Sequence, residues 1–268
     1  MQTLPALISQ QTLPAFMAPE VAAARGYLSS QIAESTKRAY VSDFRHFRTW
    51  CEERGLHVLP ASPAAVATYL SFGADSGSKY ATISRRAAAI NFAHLSAELD
   101  SPTKSNLVGG ALKGIRRTVG IAPVKKAPAT AKKLLEMVRH CPDTLQGQRD
   151  KALLLLGFAG AFRRSELVAL QVSDLAFEAA GMKATIRKSK TDQEGRGQTI
   201  AIARGEVFCP VRAVQYYLLA AGITEGAVFR PINKGGNTSA AALCAQSVAD
   251  VVKTYATKAG FDPATFAG

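Results

Sequence analysis

The sequence predicts a mostly α-helical chain in two parts, the second carrying a small antiparallel sheet. Three observations point there. Apolar residues recur at three- and four-residue steps between positions 35 and 119, and a Pro-, Gly- and Lys-bearing stretch without periodicity interrupts them at 120–128. Only after residue 180 do β-branched, alternating segments appear. The chain has 268 residues, 47% of them hydrophobic, which is material for a real core and excludes a wholly disordered protein. At roughly 100–200 residues per domain, one large or two small domains are expected.

Residues 1–26 hold Pro5, Pro14 and Pro19 with few charges and read as a loosely ordered arm. A first clear helix is expected from Ser35 as N-cap, with Tyr40, Phe44, Phe47 and Trp50–Cys51 as its core stripe and Gly55 as its stop. Aromatics at this spacing are ordinarily core. Pro63 opens a second helix over 63–73, broken by Gly73–Gly77. A third runs from Tyr80 to Leu99, burying Ile83, Ala87, Ile90 and Ala93–His94 and exposing Arg85 and Arg86. The fourth, Asn106–Val119, turns Leu107, Leu112 and Ile115 inward and Lys113, Arg116 and Arg117 outward. The expected division is an arm at 1–26, a helical domain at 27–120, a linker at 121–129 and a mixed domain at 130–268.

The mixed domain begins with a helix at Thr130–His140, then the polar Asp143–Gln148 turn and the apolar Lys151–Ala161, read as a buried helix. Ser165–Leu170 is expected to continue helically into Gln171–Leu175. Lys183–Lys188 and Gln198–Ala203 read as a hairpin with a long charged turn. Pro210 opens a helix that Gly222 ends, and Ser247 caps an amphipathic helix that stops at Gly260.

Charge narrows the function. Lys+Arg total 33 against 20 Asp+Glu, for a net +13. Residues 1–126 hold 15 basic and 8 acidic side chains, and 127–268 hold 18 and 12, so the excess is spread over both halves. Such a field favours a long polyanion over a small acidic substrate. The expected duplex-DNA contacts are Lys37, Arg38, Arg85, Arg86, Lys113, Arg116, Arg117, Lys125 and Lys126, joined in the second domain by Arg164 and Lys188. The longest apolar run, Ala152 to Phe162, is too short for the ~20 residues that span a bilayer, and residues 1–20 lack a positive n-region, so no membrane segment or secretory signal is expected. Cys51, Cys141, Cys209 and Cys244 are far apart and no His/Cys pair has ligand spacing, so reduced thiols, a cytoplasmic location and no metal are expected.

Two segments could carry chemistry. In Gly160-Ala-Phe-Arg163-Arg164-Ser165-Glu166-Leu167 an apolar helix ends in two arginines, with a carboxylate three residues after the first. An arginine held by a carboxylate can present its fork to a phosphate, although on spacing alone a structural ion pair is the ordinary reading. In Ile186-Arg-Lys-Ser-Lys190-Thr-Asp, a hairpin lysine can reach into a groove and protonate a leaving oxygen; alone, this is usually a solvated charge cluster.

Together with Cys209-Pro-Val-Arg-Ala-Val and Ser-Thr-Lys-Arg-Ala-Tyr40, these segments resemble the tyrosine recombinase (phage integrase) family over about residues 28–268. The resemblance implies an N-terminal helical core-binding (SAM-like) domain and a catalytic-type α+β domain that close around duplex DNA. It implies site-specific strand cleavage and rejoining through a 3′-phosphotyrosyl link, with no metal, nucleotide or other cofactor. Arg163 matches the arginine on the scissile phosphate, Glu166 its acidic support, Arg164 a less constrained neighbour, and Lys190 the lysine that protonates the departing 5′ oxygen, with Lys188 as the alternative. The family continues with His-x-x-Arg, a His or Trp, and the tyrosine nucleophile, and none follows Phe266-Ala-Gly268. Tyr216, Tyr217 and Tyr255 precede that position and are not expected to serve. The expectation is therefore DNA binding without cleavage, no nucleophile in this chain, a monomer away from DNA, and assembly with other protomers, near the nucleoid, in the complete protein. The alternative is a non-catalytic DNA-binding regulator or competitor with the same two-domain clamp.

Overall fold

A computed structural model describes residues 32–122, 129–187 and 197–266. The expected arm at 1–26, Lys125 and Lys126 of the linker, and Lys188 and Lys190 of the hairpin lie outside the described residues. Chain contacts divide the molecule into two units, Met1–Pro123 and Val124–Gly268.

The first unit is helical: α1 (Glu34–Glu52), α2 (Pro63–Asp75), α3 (Tyr80–Ser96), a 3-10 turn at Pro102–Lys104, and α4 (Asn106–Val119). Its core joins Phe47, Trp50 and Cys51 of α1 to Val66, Tyr69 and Leu70 of α2, Ile83, Ala87 and Ile90 of α3, and Val108 and Ile115 of α4. The Phe47 and Trp50 rings meet Tyr69 edge-on at 4.9 and 5.4 Å between centroids. Each such pair adds about 0.5–1.5 kcal/mol beyond area burial. His94 is fully buried and ties α3 to the loop before α2. Its Nε2 accepts the Ala61 N–H at 2.9 Å, so Nδ1 carries the hydrogen and donates to the Ile90 carbonyl at 2.8 Å.

Three details depart from expectation. Helix α1 starts at Glu34 after an Ala33 cap that makes no side-chain bond, so Ser35 is not the N-cap. Helix α3 ends at Ser96, because Glu98 takes a left-handed φ of 56° and turns the chain. On α4, Ser105 caps the Val108 N–H, and packing against the other helices selects the buried face. Val108, Leu112 and Ile115 therefore form the apolar seam, while Leu107 faces solvent at 55% exposure.

The second unit comprises α5 (Ala131–Arg139), α6 (Leu145–Ala159), α7 (Arg164–Ala169), a 3-10 turn at Val172–Asp174, β1 (Leu175–Phe177), β2 (Gly181–Ile186), β3 (Gln198–Ala203), α8 (Pro210–Ala220) and α9 (Ala245–Lys258). The strands form one antiparallel sheet in the order β1-β2-β3, with Leu175 opposite Ala184 and Ile186 opposite Gln198. Helix α6 starts inside the stretch expected as a turn, because Thr144 Oγ1 accepts the Gly147 N–H at 3.2 Å. Gly147 is obligatory there, since a Cβ would sit 2.0 Å from the Pro142 carbonyl oxygen. The segment expected to run helically to Leu175 instead breaks at Leu170 and enters β1, a third strand too short for an alternation signal. Strand β2 lies two residues earlier than expected, and α9 starts at Ala245, which puts Ser247 inside the first turn. The core fills the space between α6, α8, α9 and the inner sheet face, with Leu153, Leu156, Leu170, Met182, Ile202, Val214, Tyr217, Phe229 and Val248 among its buried members.

Candidate active site

The local fold around Arg163 follows from a sharp reversal after α6. Ala161 adopts φ +48°, the Phe162 N–H returns to the Gly157 carbonyl at 3.1 Å, and a Cβ on Gly160 would lie 2.2 Å from the Phe162 ring. Arg163 is thereby set at the N-cap of α7, a position with no capping oxygen of its own. Glu166, at the third helical position, instead reaches back to the backbone N–H of Arg163 itself. One carboxylate oxygen accepts the Arg163 backbone N–H at 2.9 Å, and the other accepts from Arg163 Nη1 at 2.6 Å. The carboxylate is 4% exposed and the arginine side chain 49%. A buried charge is costly unless paired, and here the pairing sends the guanidinium outward in a fixed orientation. Its Nε and Nη2 hydrogens have no partner among the described residues. That arrangement suits bidentate donation to a phosphate.

The same format occurs once more in this unit, and a related carboxylate–arginine pair lies in the first unit. Asp174, 5% exposed, accepts the Gln171 N–H at 2.9 Å with one oxygen and Arg187 Nε at 2.6 Å with the other, and Arg187 is 62% exposed. In the first unit Asp43, 7% exposed, takes Arg85 Nε at 2.7 Å and Nη2 at 3.2 Å. The bond to Asp43 raises the Arg85 pKa further above its ordinary range. Sequence reading missed the Asp174–Arg187 pair. Its signal was the Gln171-x-x-Asp174 spacing, which repeats Arg163-x-x-Glu166.

The remaining expected contacts fall into three groups. Arg38, Lys113, Arg116, Arg117 and Arg164 are exposed, and the Arg164 stem borders an apolar groove of about 380 Å³ with Leu134, Met137, Leu153 and Val252. Lys37 is partly covered and bound to Glu34 at 2.5 Å. Arg86 is a correction. It lies half-buried 5.9 Å from the Tyr69 ring centroid, its Nε is buried with no partner among the described residues, and the absent side chain of Gly73 leaves room for its Nη1.

Two tyrosines of the second unit are structural. Tyr255 is 3% exposed and donates to Asp150 at 3.1 Å. Asp150 also accepts from Arg149 Nε and Nη2 at 2.9 and 2.7 Å, and Arg149 reaches the Arg230 carbonyl at 3.2 Å. Burial, with the Asp150 charge adding to it, pushes the Tyr255 phenol well above its ordinary range. Burial also raises Tyr217, whose hydroxyl accepts the Arg230 N–H. Tyr216 is 64% exposed. Among the described residues no group of three His, Cys, Asp or Glu could hold a metal ion, and no helix is long and apolar enough to cross a membrane.

Comparison with known proteins bears on the family and the fold. The phage integrase N-terminal SAM-like domain matches residues 26–94. An integrase/recombinase xerD homolog of Selenomonas ruminantium is 39% identical over 251 residues, covering 91% of this chain and 73% of that protein. The recombinase cre of Escherichia phage P1 is 25% identical over 199 residues, covering 72% and 57%. In three dimensions the chain resembles a lambda integrase dimer bound to a COC' core site, with a TM-score of 0.57, 15% identity, and coverage of 96% of this chain and 70% of that one. A Tn1549 transposon integrase in complex with transposon right end DNA gives a TM-score of 0.51 at 16% identity, covering 88% and 77%. The two-part helical and α+β architecture and the extended identity to the Selenomonas protein establish that this chain belongs to the tyrosine recombinase (phage integrase) family.

Proposed function

We propose that this chain binds double-stranded DNA for site-specific recombination by the tyrosine route, with Arg163 gripping the phosphate of the scissile bond. The observation that carries the reading is the half-exposed Arg163 guanidinium locked by the buried Glu166 carboxylate. In this reaction a phosphodiester exchanges its bond to the 5′ oxygen for one to a tyrosine oxygen, so bond energy is conserved. Catalysis then reduces to positioning and to stabilising negative charge on a five-coordinate phosphorus. The unpartnered hydrogens of Arg163 donate to the non-bridging oxygens, and Glu166 keeps the fork from collapsing into solvent. Lys190 is the residue we assign to give its proton to the departing 5′ oxygen, with Lys188 as the alternative, on the family resemblance of their sequence segment. The residues named here serve the charge and proton side of the exchange. The buried hydroxyls of Tyr217 and Tyr255 are closed to the nucleophilic role.

In the first unit, Arg85, Lys113, Arg116 and Arg117 supply exposed cations for backbone phosphates, and 121–129 joins that unit to the catalytic one. Other copies on the same DNA are the expected protein partners. Four free cysteines fit the reducing cytoplasm, where the substrate resides. Selection of bound duplexes from a random pool tests the proposal, since paired protomers related by a two-fold axis should enrich an inverted repeat. A pool that binds but stays random would reduce the chain to a general DNA-coating protein, and a pool that does not bind would end the proposal.

A further inference from the structure

The Asp174–Arg187 pair belongs to the same unit as Arg163 but has no part in the mechanism above. We propose that Arg187 is a second fixed phosphate contact, seating the DNA backbone just past the end of β2. This rests on the reading that the chain binds duplex DNA. A guanidinium has five N–H donors. Arg187 spends its Nε–H on Asp174 Oδ1 at 2.6 Å and one Nη2–H on Ser173 Oγ at 3.0 Å, which leaves three, and none of these has a partner among the described residues. Because Ser173 Oγ accepts from Arg187, its own hydroxyl hydrogen remains available beside them. The result is a cation braced at two points, 62% exposed, with a neutral donor next to it, an arrangement able to donate to phosphodiester oxygens.

A brace for the sheet alone would need less. Asp174 already closes the turn by accepting the Gln171 N–H, and β1 begins at the next residue. Holding the start of β1 does not require a cation more than half in solvent. The charged pair does what a neutral pair would not: it fixes the direction in which a positive charge leaves the surface. The Arg163–Glu166 pair shares this geometry, with a carboxylate that caps a backbone N–H with one oxygen and grips an exposed arginine with the other.

The test is fluorescence anisotropy of a random-sequence DNA duplex, titrated with wild type, Arg187→Gln, Arg187→Lys and the Asp174→Asn/Arg187→Gln pair at several KCl concentrations. One lost phosphate contact should flatten the log–log salt slope by about 0.9 and weaken binding about eightfold at 0.1 M salt. Arg187→Lys should keep the slope. The double variant removes the unpaired buried carboxylate, so it reports on DNA contact even where Arg187→Gln is poorly folded; it should match the flattened slope. If both neutral variants superimpose on a steep wild-type line, Arg187 is only a brace and the proposal fails while the DNA-binding reading stands. If wild type itself shows no affinity, both fail.

Discussion

Replacing Glu166 tests the central geometry most directly, because its two oxygens do separable things. Glu166→Ala removes the acceptor for the Arg163 N–H, a capping loss of about 1 kcal/mol. It also removes a charge-assisted bond of about 1.5–3 kcal/mol, which belongs at the low end because Arg163 is half in solvent. A total of about 2.5 kcal/mol follows. Glu166→Gln keeps an amide oxygen for the cap and loses only the ionic part, for about 1.5 kcal/mol. Urea unfolding followed by far-UV circular dichroism is the appropriate assay, since the single tryptophan, Trp50, sits in the core of the first unit and reports there. DNA binding should behave differently from stability. Glu166→Gln leaves the Arg163 charge in place, so the salt slope should hold while affinity falls. An Arg163→Ala/Glu166→Gln cycle should show a coupling of at least about 0.5 kcal/mol. Wild-type stability in Glu166→Gln, together with no coupling, would refute the clamp.

Three further outcomes are expected. Neutralising Lys113, Arg116 or Arg117 should each flatten the salt slope of DNA binding by about 0.9, whereas Arg86→Gln should lower stability and leave the slope alone, because that side chain is turned inward. Tyr255→Phe should cost about 1–2 kcal/mol by stripping a donor from Asp150, with DNA affinity unchanged; a loss of affinity at intact stability would return Tyr255 to the site. Finally, burial, helped by the Asp150 charge, pushes the Cys141 thiol up to about 11, against 9.0 ordinarily. Between those values the unfolded chain has released a proton that the folded chain keeps, so stability falls as pH rises through the window. Cys141→Ala should flatten that limb in pH-dependent denaturation, and an unchanged limb would assign it to Tyr255 and the other raised phenols.

The helices were legible because their signals are local. Phe47, Trp50 and Cys51 fall on one face by spacing alone, and Pro63 and Pro210 mark first turns whatever surrounds them. The Arg163–Glu166 clamp was legible for the same reason, since three residues on a helix bring the two together. Leu107 shows where locality fails. Its apolarity pointed inward, but α4 packs on the rest of its unit through Val108, Leu112 and Ile115, which leaves Leu107 outside. The strand β1 was hidden because three residues show no period, and only its pairing with β2 makes it a strand.

From the sequence alone came the helical order, the basic character of both halves, the family and the Arg163 pair. Tertiary structure decided which cations are held and which are free to move. Asp43 reaches Arg85 across 42 residues, Asp174 reaches Arg187 across 13, and Asp150 meets Tyr255 across 105. A carboxylate becomes a strong anchor only once the rest of the fold has stripped water from it, and that burial is a property of the packed chain that no window of sequence contains.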